Sequence, residues 1–388
     1  MKIELPNHVA DCINKLKSNG YEAYCVGGAV RDLLLGITPF DYDVTTSAPP
    51  EKVIELFPKN FPTGLKHGTV TVVTEGGNIE VTTYRVDGEY LDSRHPQIVS
   101  FTDSIEGDLS RRDFTVNAIA FDGEKFAAVE NSFSDLENGI IRAVGNPEKR
   151  FAEDALRIMR CFRFSAQLGF SIEKSTLDAA LKYKCALDFI SAERIAEELS
   201  KTLLSSAPHK ANPLFASEML EFIGFESGEL PNWFNELPKS VGIRFATAIY
   251  LLKCDPMAIS FNLKLSNKLS YEIFLAYEIL CKPFSVSRSV VKKMLGSIDP
   301  AYLKEIFTSR GVIFGENTDE SCSLIDDILK SGEPYTLKTL AVRGNDLKAI
   351  GYSGQEIGKQ LDRLLDMVIE DPTINKKETL LDILQSDR

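Results

Sequence analysis

Hydrophobic residues recur at helical spacing over 8–18 (Val9, Ile13, Leu16), and Ser18-Asn19-Gly20 closes that run. Tyr21–Val26 reads as a short strand ending at Gly27-Gly28, Ala29–Leu35 as a helix stopped by Gly36, and Tyr42–Thr45 as a second strand. Pro49-Pro50 opens a further helix through Leu56. Two strands, Thr69–Thr74 and Asn78–Tyr84, flank Glu75-Gly76-Gly77, which has the chemistry of a hairpin turn. Beyond about residue 151 the periodicity is helical to the end, interrupted by prolines at 208, 213, 231, 238, 256, 283, 300, 334 and 372. The pattern predicts an α+β chain: a small α/β head followed by an all-helical remainder, without internal repeats.

The 388 residues are 44% hydrophobic and 26% charged, with a mean hydropathy of -0.09. Those values fit a folded soluble chain and not an extended disordered one. No apolar run approaches the ~20 residues of a membrane span, and Met1-Lys2-Ile3-Glu4-Leu5-Pro6 does not resemble a secretory signal, so a cytoplasmic location is expected. Seven cysteines without a CxxC pair predict neither a disulfide framework nor a zinc site. The four histidines (His8, His67, His95, His209) lie far apart without an HExxH motif, which disfavours zinc hydrolysis. His67 is expected to serve the structure; His95 has no assigned role.

The formal charge is -12, but it is uneven. Residues 1–150 hold 15 Lys+Arg against 23 Asp+Glu, and residues 151–210 hold 9 against 8. Acidity argues against indiscriminate polyanion binding, yet it lapses in the middle of the chain, where a local RNA contact is compatible with the composition.

Four segments carry candidate chemistry. Gly27-Gly28-Ala29-Val30-Arg31-Asp32 is a strand, a glycine pair and a helix start, a geometry that admits phosphate oxygens to backbone N–H groups, with Arg31 as a charged fork. Asp41-Tyr42-Asp43 would put two carboxylates on one face of a strand, where mutual repulsion calls for a cation; Glu80 is a candidate third. Hard oxygen ligands of that kind suit Mg²⁺ and bridge to substrate phosphates. Arg111-Arg112-Asp113-Phe114-Thr115-Val116-Asn117 offers guanidinium groups for a triphosphate and an amide for a ribose hydroxyl. Glu153-Asp154-Ala155-Leu156-Arg157, expected on the first long helix, places Asp154 and Arg157 at i, i+3 and Glu153 and Arg157 at i, i+4. A carboxylate accepts from the exocyclic amine of cytosine or adenine, and a guanidinium donates to a ring acceptor. Uracil and guanine would leave both groups unpaired, so one Asp/Arg pair can accept C and A and reject U and G.

In order and spacing these segments resemble the bacterial class II tRNA nucleotidyltransferases, which add CCA and belong to the polymerase-beta-like nucleotidyltransferase superfamily. Ser191-Ala192-Glu193-Arg194-Ile195 with Glu198 resembles that family's helix behind the base-reading pocket. Gly344-Asn345-Asp346-Leu347 and Gly354-x-x-Ile357-Gly358-x-x-Leu361 extend the likeness towards the C-terminus. The resemblance implies a seahorse-like molecule divided into a catalytic head (1–140), a nucleotide-reading neck (141–210), a helical body (211–300) and a helical tail (301–388). It implies Asp41 and Asp43 as Mg²⁺ ligands with Glu80 as third carboxylate. Gly27, Gly28, Arg31 and Arg112 fall to the triphosphate, Asp113 and Asn117 to the sugar side, and Arg111 is a further nucleotide-binding candidate. Asp154 and Arg157 become the template for C and A, with Glu153 orienting Arg157. The implied partners are CTP, ATP and the tRNA acceptor arm, with no membrane or protein partner; Lys264, Lys268, Lys292 and Lys293 are assigned here to tRNA phosphates.

Residues 85–96 (RVDGEYLDSRHP) resemble the loop that complete CCA-adding enzymes use when switching from CTP to ATP. That disfavours a CC-adding enzyme and leaves an A-adding enzyme as the alternative. A bacterial poly(A) polymerase shares head and neck but is disfavoured by the acidic tail (Asp366, Glu370, Asp371). The non-enzyme alternative, an inactive RNA-binding protein, has no need of the three carboxylates, and a nucleotidyltransferase for proteins or small molecules has no need of the long helical body.

Overall fold

The computed structural model describes residues 3–87, 99–283 and 286–386. Most of the 85–96 loop therefore lies outside the described residues. Contact density divides the chain into two compact units, residues 1–232 with 258–265, and residues 233–257 with 266–388.

The first unit begins with a seven-stranded sheet. Its strands are β1 (Ala23–Val26), β2 (Asp43–Thr46), β3 (Asn60–Gly64), β4 (Thr69–Thr74) and β5 (Gly77–Thr83), then, after a separate β6 (Arg85–Asp87) and β7 (Val99–Phe101) pair, β8 (Ile119–Phe121) and β9 (Phe126–Ala128). The order is β3-β4-β5-β2-β1-β8-β9. β2 and β5 run parallel, and the other neighbours are antiparallel. The glycine turn closes a two-residue hairpin, with Thr74 opposite Gly77, as the sequence predicts. Helices α1 (Asn7–Ser18), α2 (Gly28–Leu34), α3 (Pro50–Leu56), α4 (Ile105–Ser110) and α5 (Ser132–Asn138) accompany the sheet.

Alternation along the strands decides what each face does. Val70, Val72, Ile79 and Val81 are buried on one face, together with Val9, Ile13 and Leu16 of α1. On the other face, Val26, Ala118 and Ala120 pack with Tyr84, Ile105, Leu109 and Val144. Further out on that second face, Thr69, Thr71, Glu80 and Thr82 remain partly or fully exposed. β3, the edge strand, went unread in the sequence because it alternates weakly and carries Pro62; proline there denies a docking N–H to a foreign strand.

The chain continues through α6 (Pro147–Glu153), α7 (Leu156–Leu168), α8 (Lys174–Lys182), α9 (Ala192–Leu203) and α10 (Asn212–Ala216). Contrary to the expectation from sequence, Glu153 to Arg157 is not one helix. α6 ends at Glu153, Asp154 is extended (φ -144°, ψ 105°), and α7 starts at Leu156. Asp154 itself makes the break. Its carboxylate accepts the Leu156 N–H at 3.0 Å, and its carbonyl accepts that of Arg157 at 3.0 Å, the hydrogen bonding of a helix start.

The second unit is helical, from α11 (Val241–Leu251) and α12 (Pro256–Asn262, whose first residues it holds) to α13 (Asn267–Cys281), α14 (Arg288–Leu295), α15 (Pro300–Phe314), α16 (Asp319–Ser331), α17 (Gly344–Ala349), α18 (Gln355–Glu370) and α19 (Lys377–Ser386). Leu340, Val342, Leu347, Leu364, Val368, Leu380 and Leu384 form one of its cores. No helix among the described residues is long and apolar enough to cross a membrane.

Candidate active site

The turn after β1 sets the floor of a cleft of about 630 Å³ in the first unit. Gly27 has φ +75° and ψ -134°, a conformation that β-carbons oppose, and a Cβ there would stand 3.1 Å from Nη1 of Arg112. Glycine thus lets the guanidinium lie against the backbone. Gly28, Arg31, Asp41, Asp43, Arg112, Asp113 and Asn117 line the same cleft, so seven predicted residues besides Gly27 are brought together there.

The carboxylates sit where the sheet register puts them. Asp43 opens β2 and is the register partner of Glu80 on parallel β5. Asp41 precedes the strand rather than lying on it. Asp43 reaches solvent yet stands deep in the cleft; desolvation there, with Asp41 and Glu80 adding to it and Arg112 opposing, pushes its carboxyl up to about 6. Among the described residues no group of three His, Cys, Asp or Glu side chains is gathered closely enough to hold a metal ion. The expected third carboxylate is beside Asp43 in the sheet but completes no ready-made cage.

The two arginines after α4 are held by a residue that the sequence analysis passed over. Asp108, fully buried, accepts from Arg111 Nη2 at 2.8 Å and from Arg112 Nη2 at 3.2 Å. It also accepts from the Thr45 hydroxyl at 3.3 Å. Its i, i+3 and i, i+4 spacing to the arginines was the available signal. Arg111 does not line the cleft; Arg112 does. Burial lowers the Arg112 pKa, against the pull of Asp108.

Asp113 and Asn117, expected on the sugar side, already have protein partners. Asn117 accepts from Arg31 Nη1 at 2.7 Å and donates to Asp113 at 3.2 Å. Arg31 also grips Asp32 at 2.7 Å. Asp113 pairs with Arg160 at 2.6 Å. Burial works against the Asp113 charge, but Arg160 and Asn117, with Arg157 nearby, hold its carboxyl down to about 2.

α7 adds a polar stripe that the sequence analysis missed. Arg160, Arg163, Phe164 and Gln167 face the cleft, joined by Lys201 and Leu204 from α9 and its end. The signal was present: Arg157, Arg160, Arg163 and Gln167 recur every three or four residues on an otherwise buried helix. Phe164 lies under three guanidinium groups, those of Arg163 at 4.0 Å, Arg160 at 5.2 Å and Arg31 at 5.3 Å from its centroid.

Asp154 and Arg157 do not bond to each other. Arg157 Nη1 donates to Glu153 at 2.7 Å and to the Arg150 carbonyl at 3.2 Å, and Nη2 donates to the Arg111 carbonyl at 3.3 Å. Its Nε–H and one Nη2 hydrogen make no hydrogen bond among the described residues. Asp154 faces Arg194 of α9 at 3.4 Å. Glu198 of the same helix pairs with Arg163 at 2.6 Å, so α9 supports both sides of this region.

Of the lysines assigned to RNA, Lys292 is corrected. It is 1% exposed, pairs with Glu333 at 2.5 Å and donates to the Ile369 carbonyl at 3.3 Å. The apolar face of α14 carries it inward with Val291 and Leu295. Lys264, Lys268 and Lys293 are more accessible, but each pairs with an acid: Glu193 at 3.2 Å, Glu272 at 3.7 Å, and Asp366 at 3.4 Å.

Two family descriptions match the first unit: "Poly A polymerase head domain" over residues 23–142 and "Probable RNA and SrmB- binding site of polymerase A" over residues 169–223. A CCA-adding enzyme of a Geobacillus species is 39% identical over 381 residues, covering 95% of this chain and 94% of its own. The chain belongs to the CCA-adding enzyme family. A CCA-adding enzyme from Streptococcus mutans is 34% identical over 393 residues, covering 97% and 96%. The crystal structure of the Bacillus stearothermophilus CCA-adding enzyme in complex with CTP matches with a TM-score of 0.84 at 31% identity, over 98% of both chains. The Thermotoga maritima CCA-adding enzyme complexed with tRNA shares the fold, with a TM-score of 0.65 at 21% identity. The expected α+β fold and family are therefore both found.

Proposed function

We propose that this chain adds CCA to the 3′ end of tRNA, taking CTP and ATP and releasing pyrophosphate. The observation that carries this reading is one cleft in which a glycine floor, two adjacent carboxylates and a row of arginines meet, in a chain related over nearly its whole length to CCA-adding enzymes. That full-length relationship favours CCA addition over poly(A) synthesis. Catalysis belongs to residues 1–140, base reading to 141–210, and RNA contacts to 211–300 and 301–388. The cytoplasm is the place of the reaction.

Crowding of like charge around Asp43 fits a divalent cation, and Asp41 and Asp43 are the residues that would hold Mg²⁺, the triphosphate supplying further oxygens. When bound, the ion supplies positive charge to the phosphates and lowers the pKa of a coordinated hydroxyl. Arg112, Arg160 and Arg163 bind and orient the triphosphate, with Arg31 behind them. Asp108 and Asn117 keep Arg112 and Arg31 in place, so little reorganisation accompanies the reaction. Transfer is in line: the RNA 3′-hydroxyl attacks the α-phosphorus as the pyrophosphate leaves on the opposite side. Asp154 accepts from the base amine, and the spare Nε–H and Nη2–H of Arg157 donate to its ring acceptors.

The test uses RNAs ending in the discriminator base, C or CC, each supplied with one nucleotide. CTP should extend the first two and ATP only the third. Extension of the third alone would mark an A-adding enzyme, and indefinite ATP incorporation a poly(A) polymerase.

A further inference from the structure

One half of the open sheet face takes no part in the cleft. From Asp43 the register runs outward through Glu80 on β5, Thr71 on β4 and Phe61 on β3. Register partners share a face, and strands lie about 4.8 Å apart, so Phe61 stands roughly 14 Å from Asp43 on the same surface as the carboxylates. Phe61 is 58% exposed. Hydroxyls pave the surface around it: Thr63 and Thr71 share a hydrogen bond at 2.8 Å, and Thr69 and Thr82 another at 3.0 Å. Lys59 and Lys66 flank β3 in the chain, exposed and without an ion pair among the described residues.

A solitary exposed aromatic is ordinary on a protein surface. The position of Phe61 is not. The arginines occupy the cleft beside β1, α2 and α7, so the pyrophosphate departs on that side. In-line displacement then brings the attacking hydroxyl from the other side of Asp43, across Glu80 and over β4 and β3. An aromatic ring and neutral hydroxyls on that path, with two exposed lysines beside β3 in the chain, are the chemistry that holds a single-stranded nucleic-acid end, by stacking and phosphate neutralisation.

We infer that Phe61 stacks on one of the last two bases of the RNA 3′ end, with Lys59 and Lys66 on its phosphates. This assignment rests on the nucleotidyl-transfer reading above. Stacking of this kind tolerates every base, which suits a primer end whose terminal nucleotide changes at each addition.

RNA carrying 2-aminopurine at the last or next-to-last position, mixed with the full chain, tests the stack directly. The wild type should quench one of the two. Phe61→Leu, which keeps apolar bulk, should abolish that quench and raise the KM for RNA about tenfold, leaving the KM for CTP unchanged; Phe61→Tyr should restore both. Unaltered quenching at both positions in Phe61→Leu, or a KM for CTP that rises with that for RNA, would overturn the inference. The quench needs no turnover. A wild type that shows it yet adds no nucleotide would uphold the stack and overturn the transfer reading instead.

Discussion

Arg157→Ala separates base reading from structural support. The wild-type side chain is 9% exposed and joined to Glu153, the Arg150 carbonyl and the Arg111 carbonyl. Two of those partners have a second donor. Arg150 also reaches Glu153 at 3.1 Å and the Arg111 carbonyl at 3.1 Å. Truncation therefore leaves chiefly the Arg150 carbonyl unsatisfied, and the stability loss should be about 1–2 kcal/mol. The effect on selectivity should be larger. A mismatched base that leaves a guanidinium and a carboxylate unpaired costs about 1–3 kcal/mol for each group, and removing Arg157 cancels one of these penalties. Discrimination of CTP over UTP and of ATP over GTP should then fall by about 5- to 150-fold. Arg157→Lys should recover little, because an ammonium lacks the planar fork. Single-turnover kcat/KM for all four nucleotides, on RNAs ending in the discriminator base and in CC, reads the effect. Selectivity equal to that of the wild type, at reduced rate, would refute the template role and leave Arg157 as a strut.

Asp41→Ala should lower CTP incorporation by at least about 100- to 1000-fold without lowering Tm, since it relieves like-charge crowding at Asp43; rate and melting curve on one preparation check both. Lys292→Ala strips a buried partner from Glu333 and should cost about 2–3 kcal/mol, discounted because Glu333 keeps Arg288 at 2.5 Å. Lys293→Ala, at an exposed pair, should stay within about 0.5 kcal/mol, and denaturant titration distinguishes the two. Asp113 has a folded pKa held down to about 2, below that of a free carboxylate. Its pairing with Arg160 thus stabilises the fold fully above the unfolded pKa of about 4 and is lost as pH falls through about 2. The Tm advantage of wild type over Asp113→Asn should accordingly be constant from neutral pH to about 5 and shrink below that.

Much of this architecture is legible in the sequence because local chemistry and tertiary structure agree. Glu75-Gly76 demands a hairpin, and the alternation of β4 and β5 fixes which face Glu80 takes, hence its place beside Asp43. Legibility ends where one residue serves two purposes. Asp154 looks like an interior helical acid, but its carboxylate starts a new helix. Lys292 looks like half of a surface lysine pair, but the apolar stripe of α14 turns it inward to Glu333. Arg160 and Arg163 look like ordinary charges on a helix until the fold brings Arg31 to the same Phe164 ring. For Lys292 and for the arginines of α7 the deciding partner lies dozens of residues away.

The most direct test of the account is a crystal of this chain soaked with CTP and, separately, with ATP. The triphosphate should lie against Arg112 and Arg160 over the Gly27-Gly28 turn, with the base amine on Asp154 and the ring acceptors on Arg157 for both nucleotides. A base turned away from Asp154 and Arg157, or a triphosphate bound outside the cleft that holds Asp41 and Asp43, would contradict it.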